Sequence, residues 1–440
     1  ASRALEGRMA PTRKGAFNHS RPKVLVPITS LAHLGSSRAL RPKRSFAVPQ
    51  RSQDAIFCVS FAGPFGVCFI AFNGGYATLG QWLDAELSRS LPFAAVSRAG
   101  GFGVLGAVSF TPEQLETELQ WIDDHVDGKP YGVDVLIPEV QAVDHQVTAD
   151  EIVAAIPAQY RDMTAKILTE AGVNLEGTDP LGGAQRPNTS LGQELLEVSF
   201  NHPVRLSANA LGTAPPAMIE AGKKHGIPVA ALVGAKEHAK KQIEAGEDLI
   251  IAQGGEGGGH CGEVSTIVLV PEVLAAIEAS GADIPVLAAG GIMNGKQMAG
   301  MMAMGAAGAW CGSVWLATAE AETHEVFREK MVAATSRDTI RSKHRTGKYS
   351  RQLRSGWHAQ WEESGLPALP MPLMMLLSEP VLRAVDKAAV NGNEKAQDLC
   401  SYFVGQGVGL VTEVRSAGGV VQDFKREFAE GFEGLAASFE

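Results

Sequence analysis

Between Gln253 and Glu263 the chain reads QGGEGGGHCGE, with six glycines among the ten residues that follow Gln253. Glycine at that density lets the backbone lie flat against a ligand and leaves its N–H groups accessible. His260 stands inside this run, just after the strand-like DLIIAQ (248–253). Its imidazole is therefore expected at the C-terminal end of a buried parallel strand, where parallel α/β folds carry their chemistry. A histidine there can take up and return a proton near neutral pH. An isolated loop histidine is as a rule structural; the flanking glycines and the preceding strand turn this reading toward function. Cys261 follows directly, but no second histidine is in sight to activate it as a nucleophile, so a packing role is expected.

A second signal is a pair of turns. The run VLAAGG ends at Gly290-Gly291 before the helical KQMAGMMAMGA, and the next apolar run meets Gly312-Ser313. Two successive turns of this kind resemble the phosphate site built by the loops after strands seven and eight of a (β/α)8 barrel. Such a site needs backbone N–H groups unobstructed by Cβ atoms, a helix start and one hydroxyl. Gly101-Phe-Gly103-Val-Leu-Gly106 also matches G-x-G-x-x-G, with Asp123 and Asp124 about twenty residues later. There a helix-like FAAVSRA precedes and a strand-like VLGAV follows, the reverse of the dinucleotide order, so a tight turn is expected instead. Finally, Arg341, Lys343, His344, Arg345, Lys348, Arg351 and Arg354 form a basic cluster. It reads first as the solvated face of a helix, and alternatively as a contact for an anionic ligand such as a nucleotide or coenzyme A.

These residues need a scaffold, and the chain supplies one after about residue 90. YGVDVLIP (131–138), PVRLSAN (203–209), IPVAALVG (227–234), DLIIAQ, IPVLAAGG (284–291) and AWCGSVWLAT (309–318) are short apolar runs suited to buried parallel strands. TPEQLETELQWIDDHV (111–126), PPAMIEAGKKHG (215–226) and GAKEHAKKQIEAG (234–246) are amphipathic and lie between them. This alternation predicts βα units around a parallel sheet. Residues 139–202 interrupt it with helical text and a Pro/Gly-rich passage and read as an insertion. Residues 340–405, with their Pro-rich breaks, read as helical and belong to a C-terminal cap.

The chain has 440 residues, 45% of them hydrophobic and 20% charged, which excludes collagen, coiled coil and wholesale disorder. Five scattered cysteines without a C-x-x-C pair point to a reducing compartment and to no zinc site. Residues 1–53 carry 11 Lys+Arg against one acid, leaving 28 against 47 in the remainder. The acidic remainder makes nucleic acid an unexpected partner. The Arg- and Ser-rich start reads as disordered, with an organelle transit peptide as the alternative. From Ala55 to Leu83 there is no charged residue, but Gly63, Pro64 and Gly66 break the run, so buried strands are expected rather than a membrane span.

Taken together, AAVSRAGGFGVLG (94–106), YGVDVLIP, the Gln253-to-Glu263 loop with STIVLVPEV after it, PVLAAGGI, GSVWLATAE (312–320) and TGKYSRQLRS (346–355) resemble the nitronate monooxygenase family. That family, formerly called 2-nitropropane dioxygenase, consists of FMN-dependent (β/α)8 barrels, and the resemblance covers roughly residues 94–420. It implies that His260 is the catalytic histidine and that Gln253 and Gly254 border the flavin. It also implies that Gly290, Gly291, Gly312 and Ser313 hold the FMN phosphate. Asp134 falls where many members carry an asparagine close to the isoalloxazine. One departure is evident: the family opens with a strand of the type P-I-x-x-A-P-M, and no such run precedes residue 94. Either a divergent piece of 55–80 supplies that strand, or the barrel lacks part of its first unit.

The expected architecture is thus an atypical N-terminal extension over 1–90 and an FMN-binding (β/α)8 TIM-type barrel over 91–339, with the insertion at about 139–202. A C-terminal helical segment over 340–440 packs on the barrel. The implied activity is oxidation of alkyl nitronates with dioxygen to a carbonyl compound and nitrite, with His260 as the base toward neutral nitroalkanes. An FMN-dependent NAD(P)H:quinone or enoyl-thioester (acyl-CoA) reductase is the rival enzyme reading, and a non-catalytic barrel with an impaired flavin site is the rival of another class. The partners expected are a small-molecule substrate and dioxygen, no metal and no membrane. The location expected is cytoplasmic, with organelle targeting or anchoring through the extension as alternatives.

Overall fold

The structure, a computed structural model, describes residues 69–72, 90–108, 110–137, 156–174, 189–210 and 212–439. The readings of residues 1–53 as a disordered or targeting segment, and most of the uncharged run at 55–83, lie outside them. Eight parallel strands close into a barrel: β1 (Phe69–Phe72), β2 (Phe102–Gly106), β3 (Tyr131–Asp134), β4 (Ser207–Asn209), β5 (Val229–Val233), β6 (Leu249–Gln253), β8 (Val286–Ala289) and β9 (Gly308–Cys311). A two-residue strand, β7 (Gly259–His260), leaves the barrel and pairs with β11 (Ser350–Leu353), which in turn pairs with β10 (Thr339–Ser342).

β1 settles the question of the missing first strand. Its backbone pairs Ile70 with Phe102 on one side and Phe69 with Ala309 on the other, and this closes the ring. The divergent 55–80 segment therefore supplies the strand, and the premise of the impaired-barrel reading is gone.

The strands form because their apolar residues can be buried on both faces. Phe102, Val104, Leu206, Ala230, Ile251 and Trp310 belong to the cluster that fills the barrel interior. The opposite faces meet the outer helices, among them Pro112–His125, Thr189–Phe200, Lys236–Ala245 and Thr266–Ser280. Burying each large side chain stabilises the fold by about 1.5–3 kcal/mol before entropy is counted. Helix starts follow local rules: Thr111 and Gln114 form a capping box at the head of Pro112–His125. The helix Ala417–Ala436 returns to the ring and packs against Gly295–Ala303 and Leu91–Arg98.

A second core lies apart from the barrel. Tyr160 and Ile167 from the helix Ala158–Ala171 pack with Trp357, Trp361, Met374 and Val381 from the C-terminal segment. Tyr160 Oη donates to the carbonyl of Pro367 at 2.8 Å, and Asn393 Nδ2 to that of Ala171 at 2.8 Å. Helical text between β3 and β4 thus joins the same cap as the chain's C-terminal third.

Three sequence expectations meet the structure directly. The G-x-G-x-x-G run is a helix-to-strand turn, with Leu91–Arg98 before β2, and a Cβ on Gly103 would collide with the backbone of Phe93. The run 309–318 is not a strand throughout: β9 stops at Cys311 and Ser313–Leu316 is a helical turn, a distinction that an apolar run alone does not carry. The stretch 340–405 is not simply helical, because it opens with the β10–β11 hairpin. Its polar sequence hides the strands, whose pairing partner β7 lies far away in the chain. Among the described residues no helix is long and apolar enough to cross a membrane.

Candidate active site

The C-terminal ends of the barrel strands open into a cleft of about 1310 Å³, its mouth included. Asp134 lines it from the end of β3, Gln253 from the end of β6 and His260 from β7. Gly290 and Gly291 line it from the turn after β8, and Gly312 and Ser313 from the turn after β9. Seven of the eight residues singled out by sequence thus share one cavity. Gly254 does not line it: its N–H bonds the Ala289 carbonyl at 3.0 Å, and a Cβ there would strike Thr266. Gly254 supports the wall from behind.

Local chemistry explains why this wall holds its shape. Gly290 and Gly291 have φ values of 100° and 74°, a region that side chains disfavour, so the turn after β8 requires glycine. The carboxylate of Glu256 accepts the N–H of Thr266 at 2.8 Å and its hydroxyl at 3.0 Å, pinning the glycine loop to the head of the next helix. Arg351 reaches from β11 and donates Nε to the Gly255 carbonyl at 2.8 Å. On the far side the loop meets the segment Tyr402–Gly405: Gly258 is so close to Val404 and Gly405 that a Cβ would come within 2.8 Å of their backbone. Ser313 Oγ accepts the N–H of Gly405 at 2.8 Å.

Tyr402 and Phe403 line the cleft and were not found by sequence reasoning. Their short apolar pattern carries no catalytic signature, and only the long-range packing of Gly405 on the glycine loop brings them in. Thr346 opens the stretch TGKYSRQLRS, whose sequence gives it no site role of its own, yet its hydroxyl lies 2.9 Å from His260 Nε2.

The electrostatics of the cleft set His260 and Asp134 apart. His260 is exposed toward the cavity, but its ring is surrounded by protein and faces the Lys348 ammonium, so lost hydration and then that charge bring its pKa down to about 4. The sequence-based expectation of a histidine poised near neutrality is corrected accordingly: at pH 7 the ring is neutral. Asp134 is buried, and desolvation raises it to about 7 against the opposing hydrogen bond from the Ala210 N–H at 3.2 Å. The Cys261 thiol is raised by burial despite Arg351 and Arg341 nearby, and it donates to the Gly255 carbonyl at 3.7 Å, as a packed thiol does.

The basic cluster is not a helix face. Arg345 is buried and paired with Glu379 at 2.8 Å, Arg341 meets Glu263 at 3.3 Å, and Arg354 meets Glu362 at 3.1 Å. Most of this charge therefore serves the hairpin and the cap. A separate group, His324, Asp386 and Cys400, brings three potential metal-ligand atoms within 4.8 Å of one another. His324 Nδ1 accepts the Phe327 N–H at 3.2 Å, which puts the ring proton on Nε2, the atom facing Asp386, and leaves no lone pair there for a metal.

The residues present fit a flavin. Gly106, Ala210 and Ala289 line the cleft with small groups that leave room for a flat ring, and the Gln253 amide, only loosely held by the Gly258 carbonyl at 3.4 Å, can reach a ligand. The two glycine turns provide backbone at the place where a phosphate would sit. A family model described as nitronate monooxygenase matches residues 88–427, more than half of the chain.

The chain belongs to the nitronate monooxygenase family.

A Mycobacterium tuberculosis relative named as a monooxygenase, Rv1533, is 47% identical over 345 residues, which cover 77% of this chain and 90% of that protein. The nitroalkane oxidase of Streptomyces ansochromogenes superposes with a TM-score of 0.66 at 25% identity, covering 83% of this chain and 97% of its own. FabK from Thermotoga maritima superposes with a TM-score of 0.60 at 27% identity, covering 84% and 96%. As a member of the nitronate monooxygenase family the chain is a flavin-dependent oxidoreductase built on a TIM-type barrel, and it acts on a small molecule.

Proposed function

We propose that the protein is an FMN-dependent nitronate monooxygenase that converts alkyl nitronates and dioxygen to a carbonyl compound and nitrite. The observation that carries this reading is the position of His260: a neutral imidazole at the lip of a cleft whose floor and glycine turns suit a flavin mononucleotide. The similarity to a nitroalkane oxidase supports it.

When bound, the flavin supplies redox chemistry between the substrate and dioxygen. The chain's own residues do the rest. Gly290, Gly291, Gly312 and Ser313 would hold the phosphate, Gln253 and Asp134 would meet the ring, and Gly254 would brace the wall behind it. A nitronate arrives already deprotonated and needs only orientation. A neutral nitroalkane must first lose the proton next to its nitro group, and His260, uncharged over the physiological range, is the side chain able to take it.

The rival reading, an FMN-dependent thioester or quinone reductase, is favoured by one observation, the likeness to FabK. Two measurements on the purified protein decide. Identification of the flavin released by heat tests FMN, and anaerobic stopped-flow mixing tests the reaction. Nitrite release from propyl-2-nitronate with no bleaching by NADH or NADPH supports the proposal. Rapid bleaching by either nucleotide without nitrite formation overturns it in favour of a reductase.

A further inference from the structure

We infer that Thr346 is a positioning residue for His260: it holds the imidazole proton on Nε2 and leaves Nδ1 as the atom that accepts the substrate's proton. This deepens the proposed function and rests on it, since the proton in question is the one a neutral nitroalkane loses.

Thr346 is fully buried, on the connection between β10 and β11. Its hydroxyl oxygen lies within hydrogen-bond distance of three groups: the Lys348 carbonyl at 3.1 Å, the Lys348 N–H at 3.3 Å and His260 Nε2 at 2.9 Å. A hydroxyl has one proton to give and two lone pairs to offer. The Lys348 carbonyl can only accept, so it takes the hydroxyl proton. The Lys348 N–H can only donate, so it occupies one lone pair. The second lone pair faces His260 Nε2, which must then be the N–H end of the ring. The reverse arrangement would turn the hydroxyl proton to the ring and take this donor from the Lys348 carbonyl.

A neutral imidazole carries a single N–H, so Nδ1 keeps its lone pair. The backbone holds this relation in place, because His260 pairs with Ser350 across β7 and β11, and Thr346 belongs to the same hairpin. Phe403 closes the other flank, its ring centre 6.4 Å from that of His260. In the step assigned here the α C–H bond of the nitroalkane breaks. Its electron pair stays with the carbon and delocalises into the nitro group, giving the nitronate, and the proton joins Nδ1. The resulting imidazolium already donates Nε2–H to Thr346, which a positively charged ring strengthens.

The test uses the flavin-loaded enzyme and two readouts. Long-range proton–nitrogen spectra report the tautomer of each histidine, and the His260 signal is identified by its loss in His260→Asn. The wild type is expected to show the Nε2–H form, Thr346→Val a mixture of tautomers, and Thr346→Ser the wild-type pattern. In kinetics, Thr346→Val should lower kcat/KM for neutral nitroethane by about a hundredfold, with at least a tenfold smaller loss on ethyl nitronate, while Thr346→Ser restores most of the activity. An Nδ1–H signal in the wild type, or equal losses on the two substrates, overturns the inference. If the wild type turns over neither substrate, the proposed reaction fails, while the spectra still decide whether Thr346 sets the tautomer.

Discussion

Ser313 and Gly405 are joined by a 2.8 Å hydrogen bond from the Gly405 N–H to the Ser313 hydroxyl, which ties the last barrel turn to the segment that closes the cleft. The same hydroxyl retains its own proton for a phosphate oxygen. Ser313→Ala removes both functions. Flavin affinity is expected to fall about tenfold, equivalent to ~1.4 kcal/mol, in a fluorescence titration of the flavin-free protein. Unchanged affinity would remove Ser313 from the phosphate site.

His260→Asn keeps the bulk of the side chain and removes the basic nitrogen. Turnover of neutral nitroalkanes is expected to drop by about 10²–10⁴-fold with flavin still bound, and turnover of nitronates to be largely kept. The pH profile carries a second check. The base must be uncharged, and its pKa is lowered to about 4, so kcat/KM for a neutral nitroalkane, measured in Asp134→Asn so that no carboxyl of the cleft titrates near 7, should stay level from pH 8 to pH 5 and fall below about pH 4. A limb near pH 6.5 would mean that the ring is hydrated as in free histidine.

Asp134 behaves in the opposite sense. Its folded pKa, about 7, lies above its unfolded value of 3.8, so the folded state holds more protons between the two. Its contribution is therefore favourable at low pH and is lost as pH rises through 7. Asp134→Asn should be more stable than the wild type at pH 8, by about 2 °C or more in Tm, and closer to it at pH 5. Thermal melts at the two pH values check this. Equal differences at both would show that the carboxyl is solvated.

The buried pair Arg345–Glu379 anchors the hairpin to the cap, with Nε and Oε1 2.8 Å apart. Glu379→Leu strands a guanidinium in a dry site and should cost about 3–5 kcal/mol in urea denaturation. The double change Arg345→Met with Glu379→Leu should recover much of that loss. No recovery would show that the charges are needed for packing beyond their mutual pairing.

The chain's own pattern determined the barrel from residue 90 onward, because each strand-turn-helix unit is written in contiguous residues. It likewise disclosed Gly290-Gly291, Gly312-Ser313 and His260, since glycine and histidine announce their conformational freedom and acid–base chemistry by type alone. Only the tertiary structure decided the rest. Residues 69–72 serve as the first strand because both neighbouring strands accept them, although their sequence lacks the expected pattern. Residues 339–353 became a hairpin because β7 offers an edge to pair with. Thr346, Tyr402 and Phe403 reach the cleft through contacts between segments remote in the chain. The pKa values of His260 and Asp134 diverge for the same reason: solvation depends on what surrounds a group in space, and a sequence specifies that only through the fold it adopts.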